Sequence, residues 1–405
     1  MKVDTMRAID YYAGVPLCFL MTVLFWITKP FRRASNIVPR KVAFIELSEM
    51  GSAIIVDPAM RKMQAHGAEL FFVIFKKNAP SLRLLGTVPE ENVYTIREDG
   101  LFPLAFDTLG FLFWARKRGI DTAIDLELFS RYSALLTGLS GAGKRIGFHA
   151  FHNEGLYRGE LLTHRVAYNP HMHIAKNFVA LVNTALSERE ELPYSKTLIR
   201  DEEIVLAKVH VDETQKFAMR QRIREGYPAF SPGHHRLVLI NPNASELLVQ
   251  RRWMPERYVE VMRSLLARYP DVVIGITGAP SEHEEAEGLR KQVGNERCVN
   301  LAGRSKFHEL PALYSIATLM VTNDSGPGHF SAVTEMPTFV IFGPETPRLY
   351  GSLGNSTPIY AGLACSPCVS ASNHRKTPCV DNVCLQVITP QQVLDAITPV
   401  LESRL

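Results

Sequence analysis

Two α/β domains, each built on a doubly wound parallel sheet, are predicted by the sequence on three observations. A chain of 405 residues with 46% hydrophobic content exceeds what one α/β core usually takes up. From Lys41 onward, short β-rich apolar runs alternate with longer segments of helical period, the rhythm of βαβ units. Between residues 185 and 235 a charged stretch and a turn-rich one interrupt that rhythm, which then restarts.

In the first half the predicted order is strand Val42–Leu47, a helix near Ala53–His66 and strand Leu70–Phe75. Strands Val93–Ile96, Thr122–Leu126 and Arg145–Phe148 extend the same sheet. Short runs dominated by apolar residues suit strands covered by helices on both faces. The domain boundary is placed near Pro232, within the turn-rich GYPAFSPGHH. Beyond it come strand Leu237–Asn241, helix Pro255–Tyr269, strand Val272–Thr277 and helix Glu282–Val293. Strand Cys298–Leu301, helix Phe307–Ile316, strand Thr318–Thr322, a short helix after Gly326 and strand Thr338–Phe342 complete the second half. The division is therefore residues 1–40, 41–232 and 233–405. Two such domains facing each other would bring the carboxyl ends of both sheets to one cleft, where ligands of these sheets bind.

The formal charge is +4, but residues 1–41 hold seven basic residues against Asp4 and Asp10. That segment alone carries +5, and the rest of the chain about −1. No global basic field is left to condense on nucleic acid. The local basicity flanks the uncharged run Gly14–Thr28, which Lys29, Arg32 and Arg33 follow. The run is shorter than the roughly 20 apolar residues of a comfortable span, so spanning a bilayer and dipping into it both remain open, as does burial as a core helix. Charges after the run, with no small-residue cleavage site, argue against a cleaved signal. They place the soluble part on the cytoplasmic side.

The stretch Thr322–Pro347 reads as strand, tight loop, helix and strand. Asp324 or Ser325 can cap that helix, Gly326 allows close approach of a ligand, and Pro327 suits the first turn. His329 lies one turn in. A helix start of this kind favours phosphate, although a capped helix after a strand is also an ordinary structural feature. Cys365, Cys368, Cys379 and Cys384 are spaced C-x2-C-x10-C-x4-C around His374. This is compatible with a structural zinc site or with reduced thiols packing a loop. Gly138 to Lys144 has P-loop spacing, but Arg145 stands where Ser or Thr must hold magnesium and a strand follows in place of a helix. It is read as a coincidental turn.

The segment Asn323-Asp324-Ser325-Gly326-Pro327-Gly328-His329, with Phe342-Gly343-Pro344 after the next strand, resembles the signature of glycosyltransferase family 9, the lipopolysaccharide heptosyltransferases. In that family the segment holds the diphosphate of a nucleotide sugar. Ile240 to Ser245 with Arg251 and Arg252 before Trp253 is similar to the family's phosphate-contacting loop. The resemblance implies that Ser245 bonds phosphate and that Arg251 or Arg252 offsets charge on the leaving diphosphate. Gly278-Ala279-Pro280-Ser281-Glu282 resembles the family's Gly-Gly-x-x-Glu turn, which makes Gly278 and Glu282 donor-binding residues, Glu282 toward ribose hydroxyls. Leu301-Ala302-Gly303 resembles a further strand end of the family, and Ala43–Met60 its opening strand, turn and helix. One departure touches the chemistry. The family commonly carries Gly-Asp at the first turn, the Asp being its proposed base, whereas this chain has Gly51-Ser52. A serine cannot serve as that base at neutral pH; Glu49 is the substitute, with Glu46 behind it.

The resemblance implies a GT-B type fold with an N-terminal membrane-associated helix. It also implies an inverting transfer of a heptose or other sugar from a nucleotide diphosphate donor, with no required cofactor or catalytic metal. The acceptor would be a lipid-linked or lipopolysaccharide-type glycan at the inner membrane face. Two other readings stay in view. A nucleotide-sugar epimerase or NAD-dependent dehydrogenase also uses such sheets, but the first turn lacks G-x-G-x-x-G. A noncatalytic nucleotide-sugar-binding protein would keep the phosphate site and have lost the base at Ser52.

Overall fold

A computed structural model describes residues 3–28, 37–128, 130–152, 155–189, 191–244, 246–370 and 375–403. The chain divides into two compact units, the first running to Val205, the second from Leu206 to Ser370 and from Arg375 to Leu405.

The first unit contains α1 (Val3–Tyr12), α2 (Gly14–Thr28), β1 (Lys41–Ile45), α3 (Met50–Ile55), α4 (Asp57–Ala65), β2 (Glu69–Phe75) and β3 (Val93–Ile96). It continues with α5 (Leu101–Arg118), β4 (Thr122–Asp125), α6 (Arg131–Leu139), β5 (Lys144–Phe148), β6 (His164–Val166) and α7 (Ile174–Leu186). Its six parallel strands lie in the order β3-β2-β1-β4-β5-β6. Ala43, Ile45, Phe71, Val73 and Ala123 pack one face of the sheet against Phe111 and Ala115 of α5. The single helix expected near Ala53–His66 is two, broken at Val56, because Pro58 in the first turn of α4 has no N–H to continue α3. Lys144 of the P-loop-like run opens β5 and donates its ammonium to the Ala185 carbonyl, a structural role.

The second unit contains α8 (Glu213–Gly226), β7 (Arg236–Asn241), α9 (Pro255–Arg268), β8 (Val272–Ile276), α10 (His283–Val293), β9 (Cys298–Asn300), α11 (Leu310–Ile316) and β10 (Leu319–Asn323). Then come α12 (Gly326–Ser331), β11 (Thr338–Phe342), α13 (Pro347–Tyr350), β12 (Ser356–Tyr360), α14 (Val383–Gln386) and α15 (Pro390–Glu402). The order β9-β8-β7-β10-β11-β12 repeats that of the first sheet, so two unlike sequences build the same topology. In each sheet the chain reverses direction of travel between its first and fourth strands, β1 and β4 or β7 and β10. The crevice beyond the carboxyl ends of those two strands is where such sheets bind ligands.

The second unit begins at Leu206, earlier than the boundary expected near Pro232. Between the charged stretch and the turn-rich one lies α8, whose N-terminus is closed by Asp212 accepting the Gln215 N–H at 2.8 Å. Met219 and Ile223 are buried, and Arg222 clamps Glu309 through two bonds of 2.7 Å. Its many charges disguise an amphipathic helix.

At the N-terminus, Asp4–Thr28 is the one helix long and apolar enough to cross a membrane among the described residues, with 25 residues and a hydropathy of 1.6. Lys29, Arg32 and Arg33, the cationic flank, lie outside the described residues.

Candidate active site

In the second unit the switch point is organised by Asn323, the last residue of β10. Its Oδ1 accepts the Trp253 N–H at 3.1 Å and the Tyr258 hydroxyl at 2.9 Å. Its Nδ2 donates to the carbonyls of Pro242 at 2.7 Å and Asn243 at 3.3 Å. All the bonding capacity of a buried amide is thus spent on tying the loop after β7 to the end of β10. Replacing Asn323 with Ala would leave several of these buried partners unsatisfied. The expected result is a loss of about 2–4 kcal/mol from the second unit, read by urea denaturation.

Next along the chain, Asp324 is 3% exposed. Its Oδ2 lies 3.6 Å from Arg251 Nε, beyond hydrogen-bonding range, and both atoms are buried without a hydrogen bond. Arg251 also reaches Glu345 Oε2 at 3.2 Å, and Arg375 Nε lies 3.4 Å from Glu345 Oε1. The Arg375 guanidinium sits 4.8 Å from the centre of the Tyr350 ring. Two cations and two carboxylates therefore share one dry cluster. Burial, with the Asp324 charge adding to it, pushes the Glu345 carboxyl up to about 8, and Arg251 pulls in the other direction.

Ser325 occupies the N-cap position of α12, but its hydroxyl donates back to the Asn323 carbonyl at 3.2 Å and does not cap the helix. Gly326 opens α12. A Cβ there would come within 2.7 Å of the Phe330 ring. His329 is half-buried in the same short helix.

The other expected donor residues are placed as follows. Ser245 lies outside the described residues. Arg252 donates to the Ala244 carbonyl at 3.0 Å and has Glu285 at 3.9 Å, so it braces the loop following β7. Glu282 accepts the Ala279 N–H at 2.6 Å, closing its own turn, and burial raises its pKa. Gly278 permits that turn, since a Cβ would lie 2.9 Å from both Asn243 Nδ2 and Glu282 Oε2.

In the first unit, Glu49 holds the N-cap position of α3 and accepts the Ser52 hydroxyl at 3.3 Å. The serine standing at the family's Asp position thus bonds to the carboxylate proposed to replace it. Glu46 is buried behind it. The turn itself is held by Glu127, a residue the sequence did not single out. One oxygen of Glu127 accepts the N–H groups of Leu47 and Ser48 at 2.9 and 3.0 Å and the Ser48 hydroxyl at 2.9 Å. Glu127 is positioned by Arg158, which bonds the Glu127 carbonyl at 2.6 Å, the Ser130 carbonyl at 2.9 Å and the buried Asp125 carboxylate. Burial raises Asp125 to about 6, with Arg158 opposing. Asp125 and Glu127 end or follow β4, a position that could have marked them; Arg158 follows from no local pattern.

The cysteines are free. Cys384 is buried in the core of the second unit, Cys365 is exposed, and Cys368 and Cys379 approach Thr377 and Asp381 at 3.4 and 3.3 Å. Among the described residues no three His, Cys, Asp or Glu side chains are grouped to hold a metal ion. His374 lies outside them.

The fold built on these two six-stranded parallel sheets is that of solved heptosyltransferases. The structure superposes on Escherichia coli ADP-heptose lipopolysaccharide heptosyltransferase II with a TM-score of 0.68 at 20% identity, covering 90% of this chain and 99% of that one. On E. coli heptosyltransferase WaaC with ADP the TM-score is 0.61 at 17% identity, covering 89% and 99%. The chain belongs to glycosyltransferase family 9 (heptosyltransferase), whose family model matches residues 115–377. Lipooligosaccharide heptosyltransferase 2 of Campylobacter jejuni is 26% identical over 172 residues, 42% of this chain and 52% of the relative. The chain spans about half the length of the curated relatives it matches.

Proposed function

We propose that this chain transfers a sugar, a heptose or a close relative, from a nucleoside diphosphate donor to a hydroxyl of a lipid-linked or lipopolysaccharide-type glycan. In this reading the transfer inverts the anomeric centre without a catalytic metal, at the cytoplasmic face of the inner membrane. The observation that carries the reading is the position of the Asp324-Ser325-Gly326-Pro327-x-His329 segment. It begins directly after β10, at the switch point, with the loop after β7 tied beside it by Asn323. Asp324 and Arg251, each with a buried polar atom not yet in a hydrogen bond, supply capacity for a polar ligand. The relative solved with ADP makes ADP the first nucleotide to test. In the first unit, Glu49 is the proposed general base for the acceptor hydroxyl, held in place by Ser52.

Thermal shift of the purified protein against ADP, UDP, GDP, CMP and NAD tests the donor side. A shift with one nucleoside diphosphate, lost in Asp324→Ala, is the expected result; a shift with NAD alone would overturn the reading. Glu49→Gln tests the base. Turnover is expected to fall by roughly 100-fold or more, with donor binding retained. Unchanged turnover would remove Glu49 from the mechanism.

A further inference from the structure

The N-terminal helix is seated along the first unit on a single stripe. Gly14, Cys18, Thr22 and Phe25 are its buried positions, spaced so that one face runs the length of α2. Cys18 and Phe25 of that stripe pack with Ala134 and Leu161 of the first unit, and polar contacts pin it further. The Thr22 hydroxyl accepts the Glu160 N–H at 2.9 Å, and the Arg145 guanidinium lies 5.2 Å from the centre of the Phe25 ring. Asp10 of α1 accepts the backbone N–H groups of Arg131 and Tyr132 at 2.8 and 3.0 Å. The opposite face is bare, with Leu20 60%, Trp26 61% and Ile27 65% exposed.

A second helix has the same character. On α5, Phe111 and Ala115 face the core, yet Phe102 is 91%, Phe106 72%, Leu109 68% and Phe113 71% exposed. Those four positions also form one stripe, and Arg116, Lys117 and Arg118 close the helix. The two helices flank α6, whose Tyr132 bonds Thr108 of α5 through its hydroxyl and Asp10 of α1 through its backbone. Soluble surfaces seldom carry apolar stripes this exposed without a partner.

We infer that the outward faces of the N-terminal helix and of α5 form one docking surface for an anionic lipid leaflet, with the N-terminal helix lying in the membrane plane along the first unit and not crossing the bilayer. A helix crossing the bilayer would need about 20 residues clear of the soluble domain, whereas α2 is held to that domain from Gly14 to Phe25. Charge argues for lipid as the occupant. The basic last turn of α5, Arg116, Lys117 and Arg118, complements anionic headgroups beside the apolar stripe of that helix. The inference rests on the proposed work at the inner membrane face and adds how the chain sits there.

Flotation of the full chain with phosphatidylethanolamine–phosphatidylglycerol vesicles, compared with phosphatidylcholine vesicles, tests it. The wild type is expected to float with the anionic vesicles and to be released by alkaline carbonate. Combined Phe102→Ser, Phe106→Ser and Phe113→Ser substitutions should weaken binding at least about 10-fold with an unchanged melting temperature, and Phe106→Glu alone provides a milder check on folding. Undiminished flotation of these variants, or retention of the wild type in carbonate, would overturn the inference while leaving membrane attachment intact. A wild type that ignores vesicles but forms a dimer that these substitutions dissolve would make the surface a contact between copies. A wild type that is monomeric and binds no vesicle would defeat the membrane reading itself.

Discussion

Replacing Arg158 with Ala is expected to destabilise the first unit by about 3–5 kcal/mol, the usual consequence of removing one partner of a buried ion pair. Asp125 has no exposed side-chain surface and Arg158 little, so no solvent is available to replace the lost guanidinium. The effect should grow with pH. In the intact protein burial already raises Asp125 to about 6 against the pull of Arg158, and without Arg158 its pKa rises further. A carboxyl whose folded pKa exceeds its unfolded one loses stability as pH rises between the two values. The wild type therefore stops losing stability from this group near pH 6, and the variant continues to lose it above. Urea denaturation at pH 6 and pH 8 should show the larger difference at pH 8; an equal difference would mean that Asp125 is not the orphaned group. Asp125→Asn in the same background should recover part of the loss. Because Arg158 also fixes the Glu127 loop, and Glu127 the turn bearing Glu49, turnover should fall even where the variant remains folded.

Thr338–Phe342, buried along its whole length, matches its expected bounds, because an apolar run of that length between turn residues has few other uses. Val93–Ile96 also matches, although it is a partly buried edge of the first sheet. Two other edge strands were missed. Ser356–Tyr360 is polar, partly exposed and contains Pro358, which an edge strand tolerates. His164–Val166 has only three residues. In the proposed donor site, Asp324, Ser325, Gly326 and His329 could be singled out from the sequence because they are nearly contiguous. The residues that hold them are not. Asn323 acts through bonds to residues 65 to 81 positions away in the chain, and Arg158 reaches Asp125 across 33. Such partners become visible only when the sheet brings them together. The arginine expected to face a diphosphate is a case in point, since Arg251 lies between Asp324 and Glu345.

That placement of Arg251 makes Glu345 a reporter of the cluster. An ordinary glutamate ionises near 4.5, whereas burial holds this one at about 8, with Arg251, Arg375, Asp324 and Tyr350 around it. Between those values the folded protein keeps a proton that the unfolded chain releases. Stability from Glu345 is therefore fully present below about pH 4.5 and is lost as pH rises toward 8, by a few kcal/mol in all. Glu345→Gln preserves the shape and cannot ionise, so its stability should be flatter than wild type across that window. Urea unfolding followed by the emission of the buried Trp253, in a background with Trp26 and Trp114 replaced by Phe, reads this. A wild type whose stability instead rises between pH 5 and 8, with Glu345→Gln removing the rise, would mean that Glu345 is ionised throughout and that the two arginines outweigh burial. In that event Arg251 would be held by a full negative charge and less free to serve a donor phosphate. With a neutral Glu345 at pH 7, Asp324 is the main counter-charge to Arg251. Asp324→Ala should then remove a ligand contact. Because Asp324 helps to hold the Glu345 carboxyl up, the substitution should also let Glu345 ionise at lower pH, so that the fall in stability with rising pH ends lower in this variant than in the wild type.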